Sequence, residues 1–335
     1  MFVDEGSMTT PTISAPTNGI GLSVVIPLYN KARHIKRAIN SVLAQSYTDF
    51  ELIIVDDGST DGSGELARQV TDPRIRLIAQ PNVGAGAARN TGILAARAEL
   101  VAFLDADDEW LPNFLETVMG LQARHPTAGI YATAYRICQK GKTVRIAFLG
   151  CVASPVGGLL EDYFRAALGP PAVCASAVMI PKRVLAEVNF FPVGIKRGED
   201  IETWAAIALR HRVAWSPVEA AVYHQSAINR ACLIYPLPKD VPPAVPVEAF
   251  LAGGAQPISS RFYAEEYLTR ERLEIAKTHL LAGQRAWVRE LVQKTAGTVL
   301  FQKKRWALRL MFWIPNWLLR AMAGTLRNIR GLVGR

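Results

Sequence analysis

The chain has no Cys-x-x-Cys pair: its four cysteines, Cys138, Cys151, Cys174 and Cys232, stand far apart among 335 residues. That spacing argues against a zinc knuckle and a disulfide framework, and it fits a reducing compartment. No Gly-x-x-x-x-Gly-Lys-Ser/Thr sequence occurs, which excludes a P-loop nucleotidase. Gly84-Ala-Gly86 lacks the third glycine and the downstream acid of a dinucleotide fingerprint, and there is no Gly-x-Ser-x-Gly elbow. An apolar run of about 18 residues, long enough to span a bilayer, is also missing, because Arg309, Pro315 and Arg320 interrupt the richest region. The N-terminus shows no charged-then-apolar signal layout; residues 1–20 read as a flexible tail rich in Thr, Pro, Ser and Gly.

Acid is missing from the C-terminal end. From Leu291 to Arg335 there are nine Lys or Arg and no Asp or Glu, against a net charge of +9 for the whole chain. The rest of the chain is therefore balanced, and the basicity belongs to the tail.

What is present alternates. Residues 22–27, 50–55, 75–79 and 100–104 read as short apolar strands. Ile35, Ala38, Ile39, Val42 and Leu43 recur at helical spacing between the first two, and residues 84–97 form a small-residue helix. Such alternation implies βαβ units, hence an α/β fold with a mixed, mostly parallel central sheet. Further on, the pattern predicts a helix over 113–124, strands over 129–136, 173–180 and 218–223, and a helix from Glu199 to about His211. Six prolines between Pro236 and Pro257, with no clear period, mark residues 235–258 as a linker or acceptor loop. A helical hairpin turning at Ala282-Gly283 opens the last segment, 259–335.

Three strand ends carry the chemistry. Strand one runs into Pro27-Leu-Tyr-Asn30, strand two into Asp56-Asp57 and strand four into Asp105-Ala-Asp107-Asp108. Ligands of open α/β sheets bind at this edge. An aromatic ring and a carboxylate there suit a nucleotide base, which needs a stacking face and an acceptor for a ring N–H. The three crowded acids admit two readings: a divalent cation site, or a solvated turn in which Asp108 caps the helix that follows. Glu199-Asp200 likewise reads as a catalytic pair or as acids favoured by a helix N-terminus. With no P-loop, a bound diphosphate would take its positive charge from a cation held by Asp107.

Taken in order, Val24-Val-Ile-Pro-Leu-Tyr-Asn30, Ser41-Val-Leu-Ala-Gln45, Glu51-Leu-Ile-Ile-Val-Asp-Asp-Gly-Ser-Thr-Asp61, Asn82-Val-Gly-Ala-Gly-Ala-Ala-Arg-Asn-Thr-Gly92, Phe103-Leu-Asp-Ala-Asp-Asp108 and Gly198-Glu-Asp200 resemble the family 2 glycosyltransferases of the A-type (GT-A, Rossmann-like) fold. The resemblance covers about Leu22 to Tyr223 and implies a catalytic domain over 21–234. It implies that Pro27, Tyr29, Asp57 and Arg89 line a nucleotide pocket, with Asp105 near the ribose. It gives Asp107 a Mg²⁺ or Mn²⁺ ion, with His224 as a further candidate ligand, and makes Asp200, with Glu199 beside it, the general base of an inverting transfer. A single displacement needs one base and no covalent intermediate, unlike the paired carboxylates of glycoside hydrolases. The donor implied is a nucleotide-sugar, by expectation a UDP-sugar. Absence of Gln-x-x-Arg-Trp points to one sugar per encounter rather than polymerisation. A sugar-nucleotide nucleotidyltransferase would need a glycine- and basic-rich loop where Leu28-Tyr-Asn-Lys31 stands, and an inactive membrane-binding module of the same fold is the other alternative.

The tail adds a location. After Pro315, Leu318, Leu319, Met322, Leu326, Ile329 and Val333 share one helical side, and Asn316, Arg320, Arg327 and Arg330 the other. A basic helix rich in Trp and Leu suits an anionic membrane surface, whereas nucleic acid would not need so many large apolar side chains. The expected place is the inner face of the cytoplasmic membrane, with a lipid-linked or cell-surface glycan as acceptor and no nucleic-acid partner.

Overall fold

The computed structural model describes residues 19–148, 150–151, 154–227, 234–236, 238–254 and 260–319. The N-terminal tail up to residue 18, Cys232 and the amphipathic pattern beyond Leu319 lie outside the described residues.

The sheet is built in chain order from β1 (Leu22–Leu28), β2 (Phe50–Asp56), β3 (Ile75–Ala79), β4 (Leu100–Phe103), β5 (Glu109–Trp110), β6 (Ile130–Gln139), β7 (Lys142–Arg145), β8 (Gly158–Leu159), β9 (Val178–Pro181) and β10 (Val213–His224). The spatial order is β3-β2-β1-β4-β9-β6-β10-β5, with β7 on β6 and β8 on β10. From β3 to β4 all pairs are parallel, as is β6 with β10; β9 runs antiparallel between β4 and β6. The sheet is therefore mixed with a parallel N-terminal half. Strands β1 and β2 are buried on both faces along nearly their whole length, which is why they read as unbroken apolar runs.

Helices α1 (Ile35–Leu43), α2 (Ser63–Arg68), α3 (Ala85–Ala95) and α4 (Phe114–Arg124) follow the first strands, and α5 (Tyr163–Ala166), α6 (Lys182–Glu187) and α7 (Glu199–Ala208) the later ones. Helix α3 lies flush on the sheet because it is made of small residues. A Cβ on Gly92 would stand 2.4 Å from Val25 Cγ1, and one on Gly86 would stand 2.7 Å from the Pro192 carbonyl oxygen.

Two segments depart from the sequence pattern. Residues 173–177 are not part of a strand; β9 starts only at Val178. The chain turns there so that Ser176 can bond the acidic loop after β4: its Oγ accepts the Asp105 N–H at 3.1 Å and its carbonyl accepts the Trp110 indole N–H at 2.7 Å. The proline-rich stretch contains a helix, α8 (Ala244–Ala252). Pro246 falls in its first turn, where no intrahelical N–H is needed, so the proline that hides the periodicity does no harm.

Helices α9 (Arg261–Ala282), α10 (Arg285–Lys294) and α11 (Gln302–Met311) complete the described chain. Gly283, in the left-handed conformation at φ 88°, closes α9 and makes the hairpin turn. Val241, Ala244, Val247, Ala264, Tyr267 and Leu268 share a core with Trp204 and Phe191, so the hydrophobic core of the sheet continues into α8 and α9. A separate, small core joins Leu273, Leu280, Val288, Leu291 and Leu308. Among the described residues no helix is long and apolar enough to cross a membrane.

Candidate active site

The C-terminal ends of β1 and β2 are interlocked through the residues that made them recognisable. Asn30 adopts φ 52°; its side-chain oxygen accepts the Thr60 N–H at 2.8 Å while its own N–H donates to Ser59 Oγ at 3.1 Å. The Lys31 N–H donates to Ser63 Oγ and the Ala32 N–H to Asp61 Oδ2. Pro27 is half-buried next to the end of β1, and Tyr29 beyond it is 41% exposed. Asp57 is buried. Its carboxylate accepts the N–H groups of Val83 and Gly84 and the amide of Gln80 at 2.8–2.9 Å, fixing the loop that leads into α3. A carboxylate offers about four acceptor positions, so capacity for one further donor remains.

Arg89 projects from α3 into the interior, 3% exposed. Its guanidinium bridges two elements at once, 2.7 Å from Asp105 at the end of β4 and 2.7 Å from Glu199 at the start of α7. Although burial opposes its charge, the carboxylates of Asp105, Glu199 and Asp200 hold Arg89 above its ordinary pKa. Asn90 completes the clamp by exchanging two hydrogen bonds with the backbone of Phe191. Phe103, Phe191 and Trp204 form a chain of edge-on aromatic contacts, with ring centroids 5.4 and 5.5 Å apart.

Gly198, with φ 89°, turns the chain so that α7 begins at Glu199 and Asp200. Burial pushes the Asp200 carboxyl up to about 7; the neighbouring Glu199 adds to this and Arg89 opposes it. A carboxyl titrating near neutrality is what general-base work at neutral pH needs.

The three acids after β4 separate cleanly. Asp105 pairs with Arg89; burial raises its carboxyl against the pull of Arg89, and Asp107 adds to the rise. Asp107 lies 2.7 Å from the Lys31 ammonium, and its carbonyl accepts from the Arg37 guanidinium. Asp108 is fully buried and accepts the Ser176 hydroxyl and, at 2.7 Å, the His224 N–H. It therefore does not cap α4, whose N-cap is Asn113 without a side-chain bond. Asp108 instead ties the acidic loop to β10 and to the 174–176 turn. Burial, then the charges of Asp107 and Asp105, push its carboxyl well up. His224 is 9% exposed, with Nε2 2.9 Å from Glu109. Glu109 in turn lies 3.7 Å from Arg37.

The donor chemistry of this edge fits a hard divalent cation. Beyond burial, the charge of Asp107 raises the carboxyls of Asp105 and Asp108, a mutual repulsion that a cation would relieve, and Mg²⁺-type sites use one or two carboxylates plus waters and substrate phosphates. No three His, Cys, Asp or Glu side chains among the described residues converge into a ready-made cage, so Asp107 and a bound phosphate would have to share the ion. Sequence reasoning missed Lys31 and Arg37. A signal existed: Lys31, Arg33, His34, Lys36 and Arg37 crowd the N-terminal end of α1, where the helix dipole disfavours cations and no acid stands in the first turn. The cavity of about 350 Å³ bounded by Gly21, Arg97, Leu100 and Pro181 lies at the opposite edge of the sheet.

The architecture is that of the A-type glycosyltransferases. Staphylococcus aureus TarS, residues 1–349, solved in complex with UDP-GlcNAc, superposes with a TM-score of 0.69 at 17% identity, covering 87% of this chain and 88% of that one. The same region solved with UDP gives 0.63. The family then follows from the sequence: residues 23–185 match the model of glycosyl transferase family 2, and the chain carries a domain of that family. An uncharacterized glycosyltransferase of Nostoc is 46% identical over 112 residues, which cover 32% of this chain and 35% of that protein. One of Rickettsia conorii is 32% identical over 198 residues, covering 58% and 31%. The chain thus spans about a third of the length of these curated relatives.

Proposed function

We propose that this protein moves a sugar from a nucleotide donor to an acceptor hydroxyl in one displacement, with inversion at the anomeric carbon. The observation that carries the reading is the Arg89 bridge, which brings the Asp105 edge and the Glu199-Asp200 turn into one charge cluster and leaves Asp200 titrating near 7. Asp200 takes the proton of the attacking hydroxyl, and Glu199 is spent on holding Arg89. Tyr29 offers its ring to the base, Asp57 its remaining acceptor position to the base N–H, Pro27 the pocket wall, and Asp105 its free oxygen to the ribose. Arg89 shapes this pocket from behind by fixing Asp105. Asp107, with His224 as a second candidate ligand, would hold Mg²⁺ or Mn²⁺, which when bound offsets the charge of the leaving diphosphate.

The donor is a UDP-sugar in this reading, which the UDP-GlcNAc complex of TarS supports by likeness of fold. The acceptor is a lipid-linked or cell-surface glycan, met at the inner face of the cytoplasmic membrane. Its support is the acid-free tail and the exposure of Trp306, Trp313 and Trp317 in the C-terminal segment.

Purified protein incubated with UDP-sugars and Mn²⁺ should slowly release UDP. Release of pyrophosphate from UTP and a sugar 1-phosphate, with no UDP formed from UDP-sugars, would replace this reading with a nucleotidyltransferase. Asp107→Asn should abolish metal-dependent UDP binding with the fold intact; unchanged calorimetric affinity in Mn²⁺ would remove Asp107 from the metal.

A further inference from the structure

A groove of about 280 Å³ runs between α10 and α11, over the small C-terminal core. Its floor is apolar, formed by Val288, Val292 and Leu308. Its rim is cationic: Arg289, Arg305 and Arg309. None of the three pairs with a carboxylate of the described residues, whereas Lys294 and Lys304 on the same helices do. Other groups orient them. Arg309 stacks over the Trp306 ring at 4.5 Å, Arg289 stands over the Phe312 ring at 5.6 Å, and Arg305 Nε donates to the Val292 carbonyl at 3.3 Å. Each guanidinium therefore keeps N–H donors available while its plane is held.

The surroundings add a direction. Trp306 is 53%, Leu310 69% and Trp313 81% exposed on α11 and just beyond it. Large apolar and indole side chains beside unpaired arginines suit a headgroup region, where indoles sit at the interface and guanidiniums meet phosphates. A nucleic-acid backbone would use the rim but not the floor. We propose that the groove binds one anionic phospholipid of the bilayer surface, its phosphate between Arg289, Arg305 and Arg309 and the start of an acyl chain on Val288, Val292 and Leu308. The inference deepens the membrane reading of the tail and rests on it. It differs in naming a built binding site where general attraction of a basic tail would suffice.

Co-sedimentation of the whole 335-residue chain with vesicles of phosphatidylcholine alone, or with phosphatidylglycerol mixed in, tests it. Wild type should bind only the anionic vesicles. The triple variant Arg289→Gln, Arg305→Gln, Arg309→Gln should bind them on the order of 100-fold more weakly, given the attraction of each basic residue near an anionic surface. Gln293→Trp, which fills the groove from its exposed rim without changing charge, separates a site from mere charge. It should weaken binding about tenfold, and its circular dichroism and melting temperature should match wild type. If Gln293→Trp binds as wild type does, the groove is not the site. If the triple variant keeps full vesicle binding but loses a dimer seen on sizing, the groove faces a second copy and the proposal falls. If wild type binds no anionic vesicle, the membrane reading itself has failed.

Discussion

Two cations offset the acids at one sheet edge, and they do so differently. Arg89 reaches from α3 into the interior and locks Asp105 and Glu199 together with a planar fork, each at 2.7 Å. Lys31 stands on the loop after β1 and sets a flexible, point-like ammonium 2.7 Å from Asp107. Guanidinium forks suit fixed bidentate geometry, whereas an ammonium on a four-carbon stem can be exchanged for another cation. On the proposed function, the Arg89 side would tune and position, and the Lys31 side would be where a divalent ion takes the place of the ammonium. Neither role follows from proximity to acid alone; the difference lies in the anchoring of each cation.

The sharpest break of the Arg89 side is at the group it tunes. Asp200→Asn should lower transfer by roughly 10²- to 10⁴-fold, the usual contribution of a positioned base, while UDP affinity holds. Wild-type turnover in that variant would remove Asp200 as the base. The same substitution has a stability signature. The Asp200 carboxyl is raised from 3.8 to about 7 on folding, so the folded state holds its proton more tightly and stability falls as pH rises from about 4 to about 7. Asn carries no such penalty. Asp200→Asn should thus melt above wild type at pH 8, with the gap narrowing at pH 5; a gap that widens on acidification would contradict the raised carboxyl.

Arg89→Met should follow in size. Removing one partner of a buried ion pair costs about 3–5 kcal/mol, because Asp105 and Glu199 are left without their cation. Denaturant titration reads the loss. Since Arg89 lowers the Asp200 pKa, the rising limb of the activity profile, expected near pH 7 in wild type, should move to higher pH in any Arg89→Met enzyme that folds. A limb that stays in place would mean Arg89 is only a brace.

This contrast was half legible in the sequence. The β1, β2 and β4 ends could be read because buried parallel strands are continuous apolar runs and their terminal acids stand out. The motif around Arg89 could be read because small residues at Gly86 and Gly92 advertise a helix pressed on its neighbours. Lys31 was harder: the basic cluster from Lys31 to Arg37 marks the start of α1, but only the fold shows which member faces Asp107. The cap reading of Asp108 fails for a related reason: its partners, Ser176 and His224, are distant in sequence. Helix α8 was hidden by prolines, whose cost depends on which turn they occupy.

The smallest expected effect is the most discriminating for Lys31. If its ammonium merely holds charge at Asp107 until a divalent ion arrives, that ion must displace it to bind. Lys31→Gln should then raise Mn²⁺ affinity without nucleotide by about fivefold, corresponding to roughly 1 kcal/mol for a modest ion pair. Calorimetric titration of Mn²⁺ into the nucleotide-free protein measures this directly. Arg89 offers no such gain, because its fork closes on Asp105 and Glu199 and never meets Asp107. If Lys31→Gln weakens Mn²⁺ binding instead, the ammonium is shaping the Asp107 carboxylate rather than competing for it. The two cations would then be two braces, and the division between tuned and exchangeable charge at this edge would be gone.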